Sequence, residues 1–113
     1  MQRDPEKYLH DMLGACRFLL EFTAERSVDD YRNDRAFRSA IERELQIIGE
    51  ALMQLERVAP EYASRIPEHR RIIAFRHILV HGYDSLDPVT VWSVIETKLP
   101  PLHRLLSEML PEP

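Results

Sequence analysis

The segment Asp34–Arg57 reads DRAFRSAIERELQIIGEALMQLER. Its apolar side chains recur at three- and four-residue spacing, so at about 100° per residue they fall within a narrow arc of a helix. They are Phe37, Ile41, Leu45, Ile48, Leu52 and Leu55. The pattern predicts a long amphipathic helix. Glu44 lies inside the arc, where a carboxylate needs a partner. Gly49 borders it, which indicates the close approach of a neighbouring helix.

Two more helices are predicted on either side of this stretch. One spans about Asp4–Glu25, with Asp4 as the N-cap and Pro5 as the first helical residue. Another spans about Pro67–His81, with the proline in its first turn. Gly82 follows it and is predicted to be a left-handed cap.

A fourth helix is predicted at the end of the chain. Asp87 is its expected N-cap and Pro88 its first residue. Its apolar stripe keeps its phase across Pro100-Pro101, so we expect a kinked but continuous helix. Residues 27–34 form a polar connector with room for a short turn, and residues 60–66 form another short turn. The expected fold is therefore all-α, an up-and-down bundle of four main helices in a single domain over residues 1–113.

The composition narrows the class of protein. The chain has 113 residues, of which 44% are hydrophobic, 30% are charged and only three are glycine, which argues against a sheet. No apolar run approaches the roughly 20 residues that span a bilayer, and acidic residues interrupt any signal peptide. The single cysteine, Cys16, excludes an internal disulfide and a cysteine-based zinc site. It fits a reducing compartment, so we expect a cytoplasmic protein.

Charge is unevenly distributed along the chain. The net charge is −4, but residues 65–81 carry a net +3 and the remainder −7. Three of the five histidines lie in the same positive segment. An acidic body with one basic, histidine-rich element indicates a local anionic ligand rather than a broad nucleic-acid surface.

The segment Arg76–Tyr83 concentrates side chains that can handle phosphate or protons. Arg76 is a fixed cation with a planar donor fork, and His77 and His81 can act as acid or base near neutral pH. On a helical wheel His77 and His81 share the polar face, one turn apart. Arg76 lies instead in the middle of the apolar arc, about 140° from His81.

Two explanations of Arg76 remain open from the geometry. It pairs with a half-buried acid, for which Glu44 is the candidate, or it opens onto a cleft between subunits. For His77 and His81 the alternative to chemistry is a solvent-exposed pair. They lack the neighbouring carboxylate that a metal site would use, so we expect no metal and no cofactor. For Tyr83 the alternative is a loop tyrosine packed on the end of the bundle.

These residues resemble a known family. The spacing of Arg76, His81 and Tyr83 resembles the Arg-x4-His-x-Tyr motif of HEPN-domain proteins, specifically the HepT-like toxins. The run Arg43–Ala51 resembles that family's second-helix signature, and Phe75–Asp87 resembles its central segment. The resemblance covers nearly the whole chain.

The resemblance implies a homodimeric, metal-independent RNA endonuclease that is the toxin of a toxin–antitoxin system. It implies that His81 is the general acid or base, that His77 assists, and that Arg76 holds the scissile phosphate. The implied antitoxin is a minimal, MntA-like nucleotidyltransferase that transfers AMP to Tyr83. The bulk and negative charge of AMP would then obstruct RNA beside His81.

Two other classes of function compete with this one. The chain could be a non-catalytic helical subunit that binds a nucleotidyltransferase, with Arg76 in a structural role. It could also be a plain dimerisation module. The 140° between Arg76 and His81 favours a dimer in which the second motif supplies the missing group, with Tyr83 at the rim of the shared cleft.

Overall fold

The structure, a computed structural model, describes residues 4–110, apart from the side chain of Tyr83. Its regular secondary structure within these residues is helical throughout, which confirms the all-α prediction. The α-helices in chain order are α1 (Pro5–Phe22), α2 (Val28–Asn33), α3 (Arg35–Val58), α4 (Pro60–Ala63), α5 (His69–His81), α6 (Pro88–Ser93) and α7 (Leu99–Met109). A 3₁₀ turn (Tyr83–Ser85) follows α5, and a π-helical segment (Val94–Lys98) joins α6 to α7.

Aspartate caps begin three of these helices. The Asp4 carboxylate accepts a hydrogen bond from the Glu6 N–H at 3.0 Å, and Asp34 accepts one from Phe37 at 3.0 Å. Asp87 caps α6 in the same way. Each cap satisfies an N–H group that has no partner within its helix, and this is why the predicted starts agree with the structure.

The connector predicted over residues 27–34 contains α2. Ser27 and Asp30 cap its N-terminus reciprocally, since the Ser27 N–H donates to the Asp30 carboxylate at 2.8 Å and the Asp30 N–H donates to the Ser27 hydroxyl at 3.3 Å. Tyr31 is buried, and its hydroxyl donates to Glu42 of α3 at 2.5 Å. This bond ties the short helix to the long one.

Helix α3 lies at the centre of the bundle. It packs along α1 and α5, and α7 completes the bundle against α1. The stripe predicted on α3 is buried at all six positions. Within residues 4–110 no helix is both long enough and apolar enough to cross a membrane.

The last helix is continuous, as predicted, and a local change of helix type accommodates its two prolines. Val94–Lys98 is π-helical, and the Leu99 N–H donates to the Val94 carbonyl. The wider turn comes directly before Pro100 and Pro101, which have no N–H to donate. Apolar Ile95, Leu99, Leu102 and Leu106 all remain buried.

Two predictions about α5 are corrected. The helix begins at His69 rather than Pro67, because Glu68 adopts a left-handed conformation with φ 58° and turns the chain just before it. Gly82 is not a left-handed cap, because its φ is −130°. The chain continues from it into the 3₁₀ turn, so no left-handed reversal is needed.

Candidate functional site

Helix α5 carries the candidate site at the edge of the bundle. It packs chiefly against α3, and Leu79 is its one fully buried residue. Ile72, Ile73 and Phe75 are partly buried against the core, whereas Ile78 remains 46% exposed. The helix therefore attaches to the bundle by one face and leaves the other open.

Arg76 is held between α5 and α3. Its side chain is 24% exposed, and its Nη2 lies 3.6 Å from Oε1 of Glu50. The candidate partner, Glu44, is six residues earlier on α3, about 9 Å along the helix axis. The acid beside Arg76 is therefore Glu50 and not Glu44, because a helical wheel gives the face of a side chain but not the level at which two helices meet.

Gly49 explains how α5 comes so close to α3. A Cβ added at Gly49 would overlap the Cβ of Arg76 and lie 2.8 Å from its Cγ. The expected close approach of a neighbouring helix is thus confirmed, and the neighbour is α5. The stem of Arg76 lies directly against the backbone of α3.

Arg76 also lines a cleft of about 370 Å³ formed by α1, α3 and α5. The other lining residues are Tyr8, Asp11, Ile47, Glu50, Ala51, Met53 and Gln54. The walls combine an apolar surface with two carboxylates and one guanidinium. Arg76 therefore pairs with an acid and also faces a cleft within one chain, whereas the cleft between subunits stays a prediction.

The electrostatics around Arg76 involve a second arginine. Oε1 of Glu50 lies 3.3 Å from Nη1 of Arg43, which also donates to Gln46 at 3.3 Å. Oε1 of Glu50 thus lies close to the guanidinium groups of both Arg76 and Arg43. Nε of Arg76 is buried and has no hydrogen-bond partner in the described part of the chain. The guanidinium therefore retains donor capacity.

His77 and His81 lie together on the open face of α5. Both are exposed, and their ring centroids are 4.6 Å apart with the rings tilted by 49°. The helix remains regular through His81, and the described lining of the Arg76 cleft includes neither histidine. Within one chain, then, the structure brings the two histidines together but places Arg76 on another face.

The turn after α5 carries the third motif position. The Gly82 N–H donates to the Ile78 carbonyl at 2.8 Å, and the Ser85 hydroxyl donates to the Gly82 carbonyl at 2.8 Å. The backbone of Tyr83 is thereby fixed two residues beyond the end of the helix. Its side chain lies outside the described residues, so the predicted role of Tyr83 stays a prediction.

Sequence reasoning did not single out Glu50, Asp11, Tyr8 or Gln54. They lie on two different helices, and only the packing of α1 and α5 on α3 gathers them around Arg76. Gly49 was the one usable signal, since a glycine inside an amphipathic helix marks the level of contact with another helix. Among residues 4–110 no three His, Cys, Asp or Glu side chains cluster as metal ligands would.

Comparison with known proteins identifies the family of this chain. The model of the family described as "Ribonuclease HepT-like" matches residues 12–109. The chain belongs to the HepT-like ribonuclease family. A relative from Caldanaerobacter subterraneus subsp. tengcongensis, named "Putative RNase", is 32% identical over 96% of this chain and 96% of its own length.

Two further relatives are similar to this chain over most of their own length. A protein of Thermococcus cleftensis named "Probable ribonuclease HepT" is 30% identical over 90% of this chain and 92% of its own length. A "Putative RNase" of Methanocaldococcus jannaschii is 27% identical over 91% and 94%. No solved structure shows a significant match to this chain.

Proposed function

We propose that this HepT-like chain is a metal-independent RNA endonuclease and the toxin of a toxin–antitoxin system. The observation that carries the proposal is the placement of Arg76, His77 and His81 on one helix, with a guanidinium facing a cleft and two exposed histidines one turn apart. Membership of a ribonuclease family supports it.

The reaction needs only the groups that α5 presents. His81 removes the proton of a ribose 2′-hydroxyl, whose oxygen attacks the adjacent phosphorus while the bond to the 5′-oxygen breaks. A second histidine, either His77 or one from another copy of the chain, donates a proton to the departing 5′-oxygen. Arg76 holds the phosphate and the negative charge that grows on it. The products are a 2′,3′-cyclic phosphate and a 5′-hydroxyl.

The proposed active unit is a homodimer. Arg76 and His81 face different directions on one regular helix, so a second motif facing the first would bring an arginine and a histidine to the same phosphate. The peripheral position of α5 and the exposure of Ile78 support a contact between copies at this helix.

The proposed control of the toxin acts on Tyr83. A cognate nucleotidyltransferase would join the tyrosine oxygen to the α-phosphorus of ATP and release pyrophosphate. The added AMP places a phosphate beside His81, where it blocks RNA and repels its backbone. The cognate antitoxin is then an enzyme and not merely a binding partner.

The test is cleavage of RNA by the purified chain in the presence of EDTA. Arg76→Ala and His81→Ala should each reduce the rate by about 100-fold or more. The matched controls are Arg70→Ala, an exposed arginine of α5, and His103→Ala on α7, both of which should cleave like the parent. A parent chain that leaves RNA intact under these conditions contradicts the proposal.

The Arg76–Glu50 ion pair favours a second candidate, a non-catalytic subunit that binds a nucleotidyltransferase. On that hypothesis Arg76 is structural. Arg76→Ala would then lower the melting temperature, and neither parent nor variant would cleave RNA.

A further inference from the structure

The contact between Arg76 and Glu50 carries an inference that rests on the proposed function. Glu50 follows Gly49 directly on α3, and both residues contact the same arginine. Gly49 admits the stem of Arg76, and Glu50 contacts its outer nitrogen Nη2 at 3.6 Å. Gly49 and Glu50 therefore contact Arg76 at the stem and at the tip of its side chain.

The exposure of each side chain determines how strongly solvent screens its charge. The side chains of Arg76, Glu50 and Arg43 are 24%, 38% and 58% exposed, so Arg76 is the least screened by solvent of the three. Nε of Arg76 has no partner within residues 4–110, which leaves Glu50 as the one ion-pair partner seen there for this guanidinium. Gly49 limits the stem of Arg76, so the ion pair with Glu50 is the contact that orients the guanidinium at its tip.

We propose that Glu50 is a positioning residue for the phosphate-binding arginine. Its carboxylate fixes the guanidinium of Arg76 at the wall of the cleft before RNA arrives, and this removes an ordering cost from the transition state. Glu50 itself does not touch the RNA.

The same carboxylate opposes RNA binding in the ground state, because it brings a negative charge close to the phosphate. Arg43 limits this repulsion, since its Nη1 lies 3.3 Å from the same oxygen of Glu50 and partly neutralises its charge. Glu50 therefore has two opposite effects. It raises kcat through orientation and raises KM through charge.

The opposite effects of Glu50 on kcat and on KM distinguish a positioning role from a merely structural one. Glu50→Gln keeps the size of the side chain but removes its charge. We expect kcat to fall by about tenfold, with KM unchanged or lower. Loss of a purely structural contact would instead lower the melting temperature and leave kcat unchanged for the folded fraction.

The experiment measures kcat and KM for one RNA substrate with the parent chain, Glu50→Gln and Glu44→Gln. Glu44 is the matched control, because it is a partly buried glutamate on the same helix whose pairing with Arg76 is excluded. Glu44→Gln should leave both constants at the parent values. Glu50→Asp keeps the charge but shortens the side chain, so its kcat should lie between those of the parent and Glu50→Gln.

The outcomes distinguish this inference from the proposed function. A parent chain that does not cleave RNA overturns the proposed function and, with it, the positioning role. If the parent cleaves RNA and Glu50→Gln has an equal or higher kcat, the positioning role alone is overturned. A Glu50→Gln variant with a lower kcat and a higher KM overturns the positioning role as well. If Glu50→Gln does not fold, Glu50→Asp decides, and a kcat equal to the parent's contradicts the inference.

Discussion

Gly49 of α3 lies directly beneath the stem of Arg76 of α5, with no space for a side chain between them. The close approach of these two helices and the position of the candidate phosphate-binding residue are therefore one structural feature. A substitution at Gly49 would disturb the fold and the site together.

Gly49→Ala should destabilise the protein by about 1–3 kcal/mol, because the added Cβ overlaps the near end of Arg76 and α5 must move away. Urea unfolding measures the change. Gly14→Ala is the matched control, since Gly14 is an exposed position inside α1 with nothing within 4 Å of an added Cβ. It should stabilise the protein by about 1 kcal/mol. Equal effects at the two glycines would contradict the close packing of α3 and α5.

Arg76→Lys should keep the fold and lose activity. The lysine retains a positive charge for Glu50 but lacks the planar fork that binds two phosphate oxygens at once. We expect the rate of RNA cleavage to fall by at least about tenfold, while the melting temperature stays near that of the parent. Arg70→Lys on the same helix should change neither quantity. Full activity of Arg76→Lys would mean that Arg76 acts only as a point charge.

Cys16 should make stability depend on pH in the alkaline range. Burial raises the pKa of this thiol from 9.0 to about 12, so folding favours the neutral form. Its contribution is complete below about pH 9 and is lost as the pH rises from there toward 12, by up to about 1.4 kcal/mol per pH unit.

The measurement for Cys16 is the free energy of unfolding at several pH values between about 8 and 10. Cys16→Ala should be less stable than the parent at pH 8, because it leaves a small cavity. Above pH 9 the difference should shrink, since the variant has no thiol to ionise. Parallel curves would show that the folded state does not resist ionisation of Cys16.

Glu25→Gly should raise stability by about 1 kcal/mol. Glu25 is exposed and has φ 62°, a conformation that costs a residue with a side chain more than it costs glycine. Thermal unfolding should show a higher midpoint. Arg17→Gly, at an exposed position inside α1, should cost about 1 kcal/mol instead. A loss of stability in Glu25→Gly would mean that the Glu25 side chain makes a favourable contact.

The starts of the helices could be predicted because their signals are local. Asp4, Asp34 and Asp87 each accept a hydrogen bond from an N–H two or three residues later, and that spacing is visible in the sequence. The start of α5 could not be predicted in this way. It depends on Glu68, whose left-handed conformation accompanies ion pairs to Arg71 and, 30 residues later, to Lys98.

The candidate site was predictable only within one helix. The face shared by His77 and His81 follows from helical geometry, and so does the different direction of Arg76. The partner of Arg76 does not follow, because Glu44 and Glu50 both lie on α3 and only the axial level of the two helices selects Glu50. The π-helical segment could not be predicted from the apolar pattern either. It changes the backbone hydrogen bonds but leaves the apolar stripe in phase.

The attachment of α5 to α3 has a consequence for how the molecule opens. A helix with one fully buried residue can detach locally at a lower free energy than α3, which is packed on several sides. Amide hydrogens of residues 69–81 should therefore exchange with solvent sooner than those at the centre of α3. A second copy or an RNA that covers this helix would be detected there first, as a slowing of exchange confined to those thirteen residues.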